Sequence, residues 1–474
     1  MNQISRYITS VIEKLTNYPT LGSENTGVMD VFVSLLLALA PILQHYKGIV
    51  VNAGILVLIL CLPYVCLKLL FRFRSLNLKN ILIALPLVLF QVFRVAAHGT
   101  TFMELAHGAV LCGYFVAIAL GGINLKYVAR WAYVIAMAAG IGIIIQSICY
   151  YAFGFHLQLV ATDLLLEESI AWVRLAQTGI IGVTGQASAF YRPSAFFLEP
   201  SHMFLYFVPT QFFLLLTPEM NWTKRISAVI ISVGLLLSTS GMGIAVVVGA
   251  WLLQLGFSGG RENILRFKHL FCKKNILRCI AFVLMFLVIA AILPFLRYSI
   301  LRIFLGSRVV NSMIAAEHAE KGSKLPINDL EDQLAQAEKE EAAAEAEKLA
   351  AENAGSTAIS GRIDRALSLI LHKMSGQQYW IGVSDSVDDV KFNLPGFFAT
   401  MYKYGIIGTV LSYIFYVCCA VFGKGASRWT AIIILGVSLV SAHTHGTFYM
   451  LFYVLLLMDG VMPKPMANNE ACKA

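Results

Sequence analysis

Tyr191-Arg192-Pro193-Ser194-Ala195-Phe196-Phe197-Leu198-Glu199-Pro200-Ser201-His202 sets an arginine, a carboxylate and a histidine directly ahead of an apolar run reaching Thr217. Reading this junction decides the fold, because such runs approach the roughly 20 residues that a bilayer-crossing helix needs. Pro200 suits the first helical turn, where its missing N–H costs nothing. Glu199 then stands at the helix start, where the positive end of the macrodipole favours an ionised carboxylate. Charges packed against a membrane helix are expensive and are usually kept for function. The plainer alternative is a helix-entry turn with an arginine snorkelling to the interface.

Outward from this junction the chain repeats the pattern. It has 474 residues, 58% hydrophobic and 13% charged, which excludes a soluble enzyme. The apolar runs predict an all-α, polytopic integral membrane protein with about twelve transmembrane helices. They fall near 28–46, 49–70, 80–98, 104–121, 131–153, 200–217, 225–240, 242–257, 277–296, 394–422, 429–442 and 446–460. A β-barrel would show short alternating segments, and none appear. The organisation expected is a cytoplasmic segment 1–27, five helices in 28–153, an outer loop 154–199, and four helices in 200–296. A large outer loop 297–393, three helices in 394–460 and a cytoplasmic tail 461–474 complete it. No cleavable signal is evident in 1–20; Ile4, Ile8, Val11, Ile12 and Leu15 recur at helical spacing beside Arg6 and Lys14. That stripe reads as an inner-surface helix or as a frayed terminus.

The net charge of +9 is explained by position rather than by nucleic acid. Lys68, Arg72, Arg74 and Lys79 fall on the same side as Lys126 and Arg130, Lys224 and Arg225, the basic cluster Arg261 to Arg278, and Lys424 and Arg428. Basic residues in alternate loops mark the cytoplasmic side, so both termini are expected there. The nine cysteines show neither a disulfide framework nor zinc spacing. In the second outer loop, 329–353 is rich in alanine, glutamate and lysine and favours a solvated helix or helical hairpin. Disorder is the alternative there.

Two helix pairs are short. They meet at Ser238-Thr239-Ser240-Gly241 and at His443-Thr444-His445-Gly446. About 15 residues reach only roughly 23 Å of a 30 Å core, so their outer tips are expected below the outer surface. Polar backbone at that depth is tolerated where it lines a cavity or is buried in protein. A recessed, outward-facing pocket is one expectation from this. The polar residues near the spans gather on the same side: Arg94 and His98, Glu104 and His107, Arg192, Glu199 and His202, Arg362, Arg365 and His372, and His443 and His445. Singly, each reads as an interfacial anchor, a core histidine or a loop charge. Together they make a cationic site with few carboxylates, and arginine's fixed fork suits pyrophosphate oxygens without a metal. P-loop, Rossmann, HExxH and GxSxG patterns are lacking. Asp385, Asp388 and Asp389 are spaced too loosely for an Asp-x-Asp metal motif. A lipid-linked pyrophosphate already outside the membrane therefore fits better than a cytoplasmic nucleotide.

These residues resemble a family. Arg192 with Phe196-Phe197-Leu198-Glu199-Pro200-Ser201, Ser238-Thr239-Ser240-Gly241 before a helix, Ser360-Gly361-Arg362 late in the large outer loop and Tyr404-Gly405-Ile406-Ile407-Gly408 in the next span carry the resemblance. The chain is similar to the Wzy-type repeat-unit polymerases of O-antigen, capsule and exopolysaccharide, which share a GT-C-like superfamily with the O-antigen ligases. Ala195 stands where the family often has glycine, and the alanine- and glutamate-rich insertion before Arg362 departs from its pattern.

The resemblance implies a cofactor-free, metal-independent glycosyltransferase in the bacterial plasma membrane. It would move a growing glycan from undecaprenyl pyrophosphate onto a new lipid-linked repeat unit at the outer face. Its partners would be that donor and acceptor, membrane lipids and a chain-length regulator, with no nucleic acid. Arg192, Arg362, Arg365 and Arg94 would bind the departing pyrophosphate. His372, or else Glu199, would take the acceptor proton, while Glu199 equally suits orienting an arginine. His202, Glu104, His443, His445 and Ser240 would line the pocket. The nearest alternative is the ligase of the same superfamily. A transporter would show related halves, and the chain shows no convincing internal repeat. A scaffold in a polysaccharide export complex would make the acidic helix its working surface.

Overall fold

The computed structural model describes residues 27–48, 51–71, 78–98, 102–155, 157–160, 164–166, 180–181, 186–187, 191–216, 222–257, 272–305, 313, 359–383, 395–423, 425–441 and 447–458. The expected N-terminal stripe, the helix at 329–353, and His443 and His445 lie outside these residues.

Every apolar run named above is helix. In chain order these are α1 (Val28–Leu43), α2 (Ala53–Phe71), α3 (Leu78–His98), α4 (Phe102–Ala119), α5 (Leu125–Phe153), α6 (Pro200–Leu216), α7 (Trp222–Leu237), α8 (Gly241–Phe257) and α9 (Lys273–Ile292). They continue as α10 (Pro294–Leu305), α11 (Ile359–Lys373), the short α12 (Gln378–Ile381), α13 (Gly396–Phe422), α14 (Ala426–Val440) and α15 (Thr447–Leu457). Between α5 and α6, β1 (Ile180–Ile181) pairs antiparallel with β2 (Gln186–Ala187). Within the described residues, 5 helices are long and apolar enough to cross a membrane: Ala53–Leu70, Leu78–His98, Leu125–Phe153, Lys273–Ile292 and Gly396–Phe422. By length and composition this is a membrane-embedded helical protein.

Several boundaries differ from the sequence reading by three or more residues, and two of them change what the helices contain. The span expected at 277–296 stops at Ile292, because Leu293 is extended (φ −94, ψ 105) and Pro294 opens a second helix. Proline cannot donate to the preceding turn and pushes the residue before it out of the helical region. At the other end of the first half, α5 begins at Leu125 rather than near 131, taking Lys126 and Arg130 into the helix.

The core is arranged around α15 and α6. Phe448 to Met458 are all buried, and α6 is buried on nearly every side. A helix apolar all round belongs in the interior, and α15 accordingly packs against α1, α4, α5, α6 and α14. Tyrosine hydroxyls tie this interior together without water. Tyr206 donates to the Ala38 carbonyl at 2.8 Å, Tyr453 to that of Leu205 at 2.9 Å, and Tyr449 to that of His202 at 2.8 Å. Tyr206 also stacks on Phe452 at 4.4 Å. Polar groups in a hydrocarbon setting must find partners inside the protein, and these do so between helices far apart in sequence. At the periphery, only 11% of the most apolar stretch of α9 is buried.

The turn between α7 and α8 closes against protein. Ser238, Thr239 and Ser240 are 0%, 3% and 7% exposed. Of the two ways to tolerate polar backbone at depth, this junction uses burial in protein.

Candidate functional site

The stretch 191–202 is held as a unit. Ser194 Oγ donates to the Phe197 carbonyl at 2.9 Å, and Phe197 N–H donates to that of Ser194 at 3.0 Å, closing a tight turn. Ala195 sits inside the turn at φ 52, a left-handed conformation that costs a side chain with a Cβ. Gln146 of α5 holds it there. Its Oε1 accepts the Ala195 N–H at 2.9 Å while its Nε2 donates to the Leu157 carbonyl at 2.9 Å. The turn delivers the chain to α6, where the Glu199 carbonyl accepts from His202 and Met203 N–H at 3.1 and 3.2 Å. Pro200 opens the helix and Glu199 stands at its mouth, as the sequence predicts. Ser201 Oγ donates to Glu199 Oε1, fixing one carboxylate oxygen.

Arg192 is half-buried as a residue, but its Nε is shut off from solvent and meets no hydrogen-bond partner among the described residues. Burial pushes the guanidinium below its usual range, and the Glu199 carboxylate pulls it back up. Arginine keeps its charge through such shifts. The result is a cation near one carboxylate, with a buried donor that these residues leave unfilled. An anion with several oxygens is the ligand that such a group accepts most readily.

Behind the carboxylate lies a histidine pair that the sequence did not announce. His202 is buried and its ring stacks on that of His45 at 4.6 Å, with an interplanar angle of 20°. The Tyr449 ring lies 6.3 Å from it at 28°. His45 reaches this place because the connection after α1 is stitched to the segment between α5 and α6. Lys47 N–H donates to the Leu164 carbonyl at 2.7 Å, and Leu166 N–H to that of His45 at 3.0 Å. Tyr46 packs with Val160, Leu165 and Leu198 beside it. Residues separated by more than a hundred positions thus meet at one end of the bundle.

A second polar group lies on α3 and α4. Arg94 and Glu104 both act electrostatically on His107, whose Nε2 is buried without a hydrogen-bond partner among the described residues. The first turn of α15 touches the first group and the helix that carries Arg94. Tyr449 contacts His202, while the adjacent Met450 accepts a long contact from Gln91 of α3 at 3.8 Å, one turn before Arg94. His98 closes α3 with its Nε2 at 2.6 Å from the Ile381 carbonyl.

No protein-family model and no curated protein matches the chain. The reading of this site therefore rests on its residues.

The structure brings Arg192, Glu199 and His202 together, and separately Arg94, Glu104 and His107. His372 is exposed near the end of α11, which rests on α13 through Ala366, Ile370 and Met374 against Ala399 and Tyr402. Arg362 and Arg365 belong to the same helix, and their side chains lie outside the described atoms. Ser240 is buried at the start of α8, where its Oγ accepts the Gly243 N–H at 3.4 Å. Among the described residues, no three histidine, cysteine, aspartate or glutamate side chains gather closely enough to hold a metal ion. His45, Gln146 and Tyr449 are the members the sequence reading missed. Gln146 carried a local signal, an amide inside an apolar span; His45 and Tyr449 carried none.

Proposed function

We propose that this protein is a repeat-unit polysaccharide polymerase with about twelve membrane-crossing helices, a GT-C-like architecture and both termini in the bacterial cytoplasm. It transfers a growing undecaprenyl-pyrophosphate-linked glycan onto a new lipid-linked repeat unit at the outer face of the plasma membrane. The observation that carries the proposal is the buried, unfilled donor of Arg192 beside Glu199, at the mouth of a membrane helix.

The acceptor hydroxyl oxygen forms a bond to C1 of the donor sugar as the bond from C1 to the pyrophosphate oxygen breaks. The electron pair leaves with the pyrophosphate, and charge grows on its oxygens. Arg192 stabilises that growing charge, joined by Arg362, Arg365 and Arg94. The acceptor proton passes to His372, whose exposure leaves it free to exchange that proton with water. Glu199 is a poorer base, because Ser201 holds one oxygen and the helix start favours its ionised form. It orients Arg192 instead. His202 and His45 back the carboxylate, and Glu104, His443, His445 and Ser240 complete the wall of the pocket.

The test is the length distribution of surface polysaccharide in cells carrying Arg192→Ala. Loss of the ladder, with one repeat unit still attached and the protein abundant in the membrane, supports the polymerase. Loss of that single unit as well supports the ligase. A ladder of normal length overturns the pyrophosphate role.

A further inference from the structure

From the geometry we infer that α11 and α12 form a membrane-surface element, seated in the interfacial layer of a phospholipid leaflet with Trp380 marking the depth. The inference stands apart from the proposed chemistry and rests on where α13 bends.

At 27 residues α13 is about 40 Å long, well beyond a hydrocarbon core of roughly 30 Å. Without a tilt of about 40°, part of it stands outside. The structure marks which part. Gly405 leaves the helical region (φ 63, ψ −168), and α12 sits in the notch this makes. A Cβ at Gly405 would meet the Trp380 carbonyl group at 2.4 Å, so glycine is required there. Val383 N–H donates to the Tyr402 carbonyl at 3.0 Å just above.

The exposed surface of α13 changes character at the same point. Its exposed large apolar side chains, Ile406, Ile407, Val410, Ile414, Val417, Val421 and Phe422, all follow Gly405. Before the kink, Phe398 and Tyr402 are taken up by α11. From Gly405 to Phe422 the helix rises about 26 Å, close to one hydrocarbon thickness. Neighbouring α3 gives the same two levels. Lys79 lies over the Phe422 ring at 5.6 Å at one end, and His98 meets the Ile381 carbonyl at the other. These ends are about 29 Å apart along α3.

The outer boundary of the hydrocarbon thus passes near Gly405, His98 and α12. At that level the described residues expose Trp380 at 57%, Leu371 at 64% and Leu367 at 40%. Leu367 and Leu371 are one turn apart on α11, beside the face that packs on α13; exposed Asp364 borders them on the same side, and exposed His372 lies farther round the helix. The exposed apolar surface of Leu367 and Leu371 stands on the helix that packs against α13 just before the kink. Tryptophan is favoured where one part of the ring meets acyl chain and the N–H meets water. A helix polar on one side and apolar on the other lies in this layer.

The experiment uses full-length protein in phosphatidylcholine vesicles whose acyl chains carry bromine either near the headgroup or near the terminal methyl. Subtracting the emission of Trp380→Phe from that of the wild type isolates Trp380, an exposed position where phenylalanine leaves the packing intact. Equal melting temperatures for the two proteins check this. The Trp380 component is expected to lose most of its intensity with shallow bromines and much less with deep ones. A component untouched by either lipid overturns the inference. Quenching by aqueous iodide would then indicate a water-facing element, and resistance to iodide as well would indicate cover by a second copy of the chain. Stronger quenching by the deep bromines also overturns it, because the kink would then lie inside the hydrocarbon.

Discussion

The two charged ends of the bundle are built on opposite principles. At the end where α1 begins, Asp30 is 4% exposed and its Oδ1 receives both Lys68 Nζ at 2.5 Å and the Tyr64 hydroxyl at 3.0 Å. Nearby, Trp131 Nε1 donates to the Val31 carbonyl at 3.1 Å, and the Arg130 guanidinium lies 5.1 Å over the Tyr127 ring. The fold supplies Asp30 with a cation and a hydroxyl on one oxygen. At the other end Arg192 is also withdrawn from water, yet its Nε is left unfilled by the described residues. On the proposed function, the charge closed by its own protein is architecture and the one left open is where the pyrophosphate would bind. Both cost free energy to bury unless they are paired.

Four substitutions break or sharpen this contrast. Asp30→Ala leaves Lys68 buried without its anion and is expected to destabilise the protein by about 3–5 kcal/mol, read by thermal unfolding in detergent. Transfer per folded molecule should be unchanged, and pairing Asp30→Leu with Lys68→Met should recover most of the loss. If Asp30→Ala instead removed activity with no change in melting, the inner cluster would be functional and the contrast would fail.

Arg192→Ala is expected to do the reverse. Melting should barely move while transfer falls by roughly 100- to 1000-fold, the scale for losing one preorganised charge stabiliser. Arg192→Lys should recover little, because an ammonium cannot present the two-pronged fork. The measurement is single-turnover transfer with reconstituted protein, and full activity in Arg192→Lys would show that charge alone suffices.

Gln146→Ala removes the acceptor of the buried Ala195 N–H and is expected to cost about 1–3 kcal/mol. Transfer should fall too, by less than in Arg192→Ala, since the turn that aims Arg192 loosens. Unfolding and transfer measured on one preparation separate the two losses. Ala195→Gly should have the smallest effect. It relieves about 1–2 kcal/mol of left-handed strain but gives up a buried methyl worth about 0.8 kcal/mol, so stability should rise by around 1 kcal/mol or less. A fall in melting temperature would show that the methyl matters more than the backbone.

Much of the fold was legible beforehand. Apolar runs of bilayer length announce helices whatever they pack against, so each run is helix over most of its described residues. Glu199-Pro200 read correctly as a helix start because the missing proline N–H and the carboxylate both act within one turn. Leu293 was harder. The run continues to Leu296, and only the weight given to Pro294 decides that the helix breaks. The site was legible in part. Arg192, Glu199 and His202 are close in sequence and stay close in space. Arg94, Glu104 and His107 meet because a short connection folds α3 back on α4. His45 and Tyr449 could not be found this way, since their neighbours are set by packing across most of the chain.

The sequence by itself determined where the helices run, which loops carry the basic charge, and that an arginine and a carboxylate stand together before α6. These follow from forces acting within a few residues: hydrophobic transfer, helix periodicity and the chemistry of a helix end. Only the tertiary structure decided that His45 stacks on His202, that Gln146 props the Ala195 turn, and that α12 fills the notch at Gly405. Each of those depends on close packing between segments remote in the chain, where a contact exists only once whole helices have chosen their neighbours.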